Sequence, residues 1–128
     1  MKRPVRVKII NPQEIRMGSP FNLCGIELEG LDEIELPKGN WQDKYAWSGD
    51  SIKLVLVRWN FERNDPGFSF FIIDTDTGNV KQSDRIMGLL RELEIIGSTI
   101  KYRKFLYDKS KSGHQALCCD IDEQYELL

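Results

Sequence analysis

The 128 residues carry 18 Lys+Arg against 20 Asp+Glu, a formal net charge of -2, and 41% of them are hydrophobic. That length and apolar share describe one globular domain spanning 1–128, large enough for a core without staples. They exclude a disordered, collagenous or coiled-coil chain, and the near-neutral charge argues against a generic nucleic-acid binder, which clusters Lys and Arg.

Residues 3–10 alternate, with Val5, Val7 and Ile9 to one side and Arg6 and Lys8 to the other. This is a half-buried strand, which Asn11-Pro12 is expected to end. Arg6 and Lys8 also interrupt any apolar core of a secretory signal. The longest strictly apolar runs, Leu54 to Val57 and Phe70 to Ile73, are four residues each, against about 20 for a membrane helix. The chain therefore reads as cytoplasmic, with no membrane partner.

Residues 21–29 predict a second strand carrying Leu23, Ile26 and Leu28, with Gly25 as a bulge. Ile34 and Leu36 predict a short strand before Pro37, and Lys38-Gly39-Asn40 a turn. Residues 39–45 are polar apart from Trp41 and Tyr45. Aromatics on such a loop are either interface anchors or a flap over the core.

The clearest block follows. Residues 52–59 put Ile52, Leu54 and Leu56 on one face and Val55, Val57 and Trp59 on the other, the pattern of a central strand covered on both sides. Asn64-Asp65-Pro66-Gly67 is a turn, 68–74 a second strong strand, Asp74 to Gly78 another turn, and 79–82 the start of a third strand. Residues 84–97 read two ways. Ile86, Leu89, Leu90, Leu93 and Ile96 fit helical spacing, with Asp84 as N-cap and Gly97 at the C-terminus. Gly97-Ser98 equally fits a two-residue hairpin turn. Residues 100–107 are a strand in both cases, 108–114 a polar loop holding the only histidine, His114, and 116–121 a last strand.

Trp47-Ser48-Gly49-Asp50-Ser51, the apolar strand 52–57, and Phe70-Phe-Ile-Ile-Asp-Thr-Asp-Thr-Gly78 together resemble one blade of a TolB- or WD40-type β-propeller. The resemblance covers residues 47–80. Propellers repeat a unit of about 40–45 residues several times, and no second copy occurs, so a closed propeller and its central-channel sites do not carry over. The resemblance implies a blade-like antiparallel meander. The expected fold is therefore mainly β: an antiparallel β-sandwich or strongly curled sheet built on a meander, with at most one helix, at about 84–96, covering a sheet edge.

Chemistry-bearing motifs are sparse. Cys24, Cys118 and Cys119 are an odd set without CxxC spacing, which gives neither a disulfide framework nor a zinc site. Asp74-Thr-Asp76-Thr-Gly78 imitates the start of a calcium loop, but the twelfth position is Arg85 where a Glu is needed. GxSxG, HExxH, P-loop and GxGxxG patterns do not occur, and no cofactor or metal is implied. Glu27/Glu29 and Asp120/Asp122 each share a strand face.

Charge is segregated along the chain. Glu27, Glu29, Asp32, Glu33 and Glu35 are acidic, Lys101, Arg103, Lys104, Lys109 and Lys111 basic, and Asp120, Asp122, Glu123 and Glu126 acidic again. The expectation is a non-catalytic domain that binds another macromolecule, a protein rather than nucleic acid, for instance a bacterial toxin-neutralising (immunity-type) protein. Glu27, Glu29, Asp32, Glu33, Trp41 and Tyr45 are its candidate contacts, and strand edges offer a route to a homodimer. The alternative is a small enzyme or ligand-binding β-barrel with a polar pocket, for which Asp120, Asp122, His114 or the cysteines would be the lining.

Overall fold

The computed structural model describes residues 5–14, 22–31, 34–37, 39–60, 67–107 and 118–127, giving only the backbone for residues 11–14, 22, 106–107 and 118–119. Among these every regular element is a strand: β1 (Arg6–Glu14), β2 (Asn22–Glu29), β3 (Trp41–Trp47), β4 (Lys53–Trp59), β5 (Gly67–Asp74), β6 (Val80–Gln82), β7 (Ile86–Met87), β8 (Leu89–Ile96), β9 (Thr99–Tyr107) and β10 (Cys118–Glu126). They form two antiparallel sheets. One has seven strands in the order β1-β2-β3-β4-β5-β6, with β7 also paired to β5, and the other is β10-β9-β8.

β4 and β5 form the centre because both of their faces are apolar. Leu54, Leu56, Phe71 and Ile73 enter a first core with Trp41, Cys24, Ile26 and Leu31. Val55, Val57, Phe68, Phe70 and Ile72 enter a second core with Leu90, Ile100 and Tyr102 of the other sheet. The first core is closed by Val5, just before β1, by Val7 and Ile9 of β1 and by Leu28 of β2. The β1–β2 hairpin joins the rest of its sheet through one pair, Cys24 with Trp41, so the sheet curls strongly and doubles back over its own face. The second core makes a sandwich. Phe70 is its pin, with ring centroids 5.5 Å from Phe68, 5.1 Å from Tyr102 and 5.8 Å from Tyr125.

Several local expectations need correcting. β1 runs through Asn11-Pro12 to Glu14, with its register slipping between Ile10 and Gln13. A proline is tolerated there because β1 is an edge strand and the slip is a bulge. Gly25 pairs in register with Ile10, so the extra residue sits on the facing strand. Residues 34–37 form no strand, yet Ile34 and Leu36 still pack against the first core. Residues 41–45 are strand β3 rather than a polar loop.

No helix forms over 84–96: β7, β8 and a two-residue turn take its place, with Ile96 paired to Thr99. Gly97 has φ 60°, as the first position of a type II′ hairpin turn requires. The Asn64 to Pro66 turn and the 108–114 loop lie outside the described residues. Among the described residues no helix is long and apolar enough to cross a membrane.

The two turns of the 47–80 meander are held by their own side chains. Ser48 Oγ accepts from Lys53 N (3.0 Å) and Asp50 Oδ1 from Ile52 N (3.0 Å). Asp74 Oδ1 accepts from Asp76 N (2.9 Å) and Thr77 N (3.1 Å), and Gly78 takes φ 79°. Asp74 Oδ2 meets Lys53 Nζ at 3.0 Å, which ties the two turns together. Asp74 to Gly78 is thus a hairpin turn whose Asp74 carboxylate is spent on the turn's own backbone and on Lys53.

Candidate functional site

Among the described residues, two polar clusters stand out, on opposite sides of the molecule's central sheet. The first is the outward face of β8, β9 and β10. Cross-strand register sets Glu92, Arg103 and Asp122 in one row and Glu94, Lys101 and Gln124 in the next. An open groove of about 470 Å³ runs over these rows. Arg103 donates from Nε to Asp122 Oδ1 at 2.8 Å and lies 3.5 Å from Glu92. The Arg103 guanidinium holds the Asp122 carboxyl below its ordinary range, and Asp122 in turn raises Arg103.

An extra residue, Arg91, interrupts the β8–β9 register between Leu90 and Glu92. Its side chain crosses β9 with its guanidinium 4.9 Å from the Phe105 ring centroid and reaches Asp120 of β10 at 2.6 Å. The face is therefore striped acidic, basic, acidic, and among the described residues β10 is its acidic, unpaired edge.

On the inward side of the same sheet, Lys104 Nζ contacts Glu123 Oε1 at 2.8 Å, and Tyr102 donates its hydroxyl to the same oxygen at 2.8 Å. Lys104 is 7% exposed, so its charge needs this partner. The Lys104 hydrogen bond, aided by that of Tyr102, holds the Glu123 carboxyl below its ordinary value. Burial, reinforced by Glu123, pushes the Tyr102 phenol well above its own.

The second place lies where the first core ends. Arg58 and Ser69 face one another across β4 and β5, on the side that carries Leu54, Leu56, Phe71 and Ile73. With Asn40, Trp59, Asn60 and Gln82 they line a pocket of about 210 Å³. Arg58 lies 5.9 Å from the Trp41 ring centroid and donates Nε to Gly39 O at 3.5 Å. Ser69 is 2% exposed, and its Oγ has no hydrogen-bond partner among the described residues.

The residues singled out from sequence scatter. Glu27 and Glu29 are exposed, but they stand across β1–β2 from Lys8 and Arg6, so their face is charge-balanced. Asp32, Glu33 and His114 fall outside the described residues, as do the side chains of Cys118 and Cys119. Trp41 is fully buried, edge-on to Phe71 at 4.9 Å, and its Nε1 donates to Pro37 O at 2.8 Å. It is a core residue in this fold, not an interface anchor. Tyr45 is 40% exposed on the same strand. Asp120 and Asp122 are each bound to an arginine. Cys24 is buried, and burial, with a smaller push from Asp43, raises its thiol to about 11, which leaves it protonated and unreactive at neutral pH. Among the described residues no group of three or more His, Cys, Asp or Glu is placed to hold a metal ion.

Sequence reasoning missed Arg58 and Ser69, although a signal was present. Apart from Lys53 and Asp74 at the strand ends, they are the polar residues of the two most apolar strands. Comparison with protein-family models, curated proteins and solved structures gave no match.

Proposed function

We propose that this is a non-catalytic, cytoplasmic domain that binds another protein, and that it does so along β10 and the adjoining groove. The observation that carries this reading is the acidic free edge of the smaller sheet. Among the described residues no strand pairs with the outer side of β10, whose backbone groups there face outward, and Asp120, Asp122 and Glu126 project from its outward face. A sheet edge of this kind accepts an added strand, and its charge selects a basic one. The same charge opposes a second copy pairing β10 to β10, so a strand-edge homodimer would use another edge.

In its toxin-neutralising form the proposal places a basic toxin on this edge. Co-expression with a toxin encoded by a neighbouring gene would then be expected to restore growth. The test is capture of the partner by the wild-type protein and by the doubly substituted Asp120→Lys, Asp122→Lys protein. The expected result is at least about tenfold weaker binding for the variant, and for the wild type a loss of affinity as salt rises. An unchanged affinity in the variant would overturn the assignment of the edge.

A further inference from the structure

We propose that the pocket at the end of β4 and β5 binds a small oxyanion, a carboxylate or phosphate group, gripped by Arg58 and Ser69. The inference is independent of the β10 edge and uses none of its residues.

Four observations support it. Arg58 occupies a core-facing position, between the apolar residues Leu56 and Phe71 and the pocket mouth, where an aliphatic side chain would extend the first core. Its guanidinium is held by the Trp41 ring and by Gly39 O through Nε, and among the described residues no carboxylate pairs with it. Its terminal nitrogens remain for a ligand, in the planar fork that suits carboxylate and phosphate alike. Opposite it, the enclosed Ser69 hydroxyl lacks a partner among the described residues. Buried hydroxyls are normally satisfied, so an orphan one lining a pocket points to an acceptor that binds there.

The remaining lining agrees. Asn40, Asn60 and Gln82 each bring an amide NH₂, and no described acid lines the pocket. Its walls are fixed by backbone bonds, Trp59 N to Asn40 O and Asn60 N to Gly67 O, both 2.7 Å. Asn40 holds a positive φ of 64° at the rim, an uncommon conformation that recurs at ligand clamps. At about 210 Å³ the space falls below the roughly 300–1,000 Å³ of drug-sized sites. It fits a small acid or one anionic group of a larger molecule.

The test titrates the protein with sodium phosphate and separately with sodium acetate, against sodium chloride at matched ionic strength. Amide and indole NMR signals of Asn40, Asn60, Gln82, Trp41 and Trp59 report binding. The expected result is saturable shifts confined to this set with at least one of the two oxyanions, and the stronger of the two identifies the group. Arg58→Gln should weaken binding by about tenfold or more. Gln82→Glu, at an exposed position of the three-residue β6, should weaken it several-fold by charge repulsion while leaving both cores untouched. It decides the matter if the Arg58 variant does not fold. Shifts that follow chloride, shifts unchanged in Gln82→Glu, or no saturation by roughly 50 mM of either oxyanion would overturn the proposal.

Discussion

Replacing Phe70 by alanine tests whether the molecule has two cores separated by one sheet. Phe70 is fully buried and its ring meets Phe68, Tyr102 and Tyr125. Loss of a buried Phe costs about 3–5 kcal/mol through transfer and the cavity left behind, and the aromatic pairs place this site toward the upper half. For a chain of this length, with about 2.1 cal/mol/K of unfolding entropy per residue, a loss of about 4 kcal/mol lowers Tm by roughly 15 °C. Denaturant unfolding gives the total. Native-state hydrogen exchange gives its distribution, which is the sharper readout. Two of the three rings around Phe70 belong to β9 and β10, so protection should fall first in the three-stranded sheet and persist in the β1–β2 hairpin. Phe71→Ala, on the opposite face against Trp41, should show the reverse order. A loss below about 1.5 kcal/mol for Phe70→Ala, or equal loss of protection in both regions, refutes the two-core account.

Two further outcomes follow from single positions. Gly97→Ala should cost about 1–2 kcal/mol in denaturant unfolding, because φ 60° is unfavourable for an L residue. No heavy atom lies within 4 Å of the added Cβ, so the loss is conformational rather than steric. For pH, Glu123 has a folded value below the ordinary 4.5, so the unfolded chain binds more protons as pH falls. Its stabilising contribution is complete above about pH 4.5 and is lost as pH drops through the folded value. Tyr102 is raised above its ordinary 10, so its contribution is complete below pH 10 and lost at higher pH. The urea midpoint should therefore fall on both sides, and Glu123→Gln should flatten the acid limb.

The centre of this fold was legible because β4 and β5 are apolar on both faces, a pattern that survives without knowledge of their neighbours. The region 84–97 was ambiguous for a physical reason. Leu90 and Leu93 face the same core although an odd number of positions separates them, because Arg91 is an extra residue in the strand. A bulge converts the period of two into a spacing of three, which imitates a helix. β3 was hidden for a related reason: between Trp41 and Tyr45 it gains two residues on β4, so the polar Gln42 to Lys44 stand between its aromatics and a buried tryptophan reads as a loop aromatic. The acidic segment around Glu27 reads as a surface for a partner because its counter-charges, Arg6 and Lys8, lie about twenty residues away in the chain. The pocket could not be assembled from sequence, since Asn40, Arg58, Ser69 and Gln82 meet only when four strands are in register.

The Arg91 bulge also bears on how the chain can vary in length. Without that residue, Leu90, Glu92 and Leu93 would still alternate inward, outward, inward, and β8 would pair with β9 as an unbroken ladder. A deletion at this point therefore leaves every other side chain on its present face and removes only the brace from β8 to Asp120. In related chains, a gap of one residue at this place would mark a shorter strand of the same fold, with its acidic edge less firmly held.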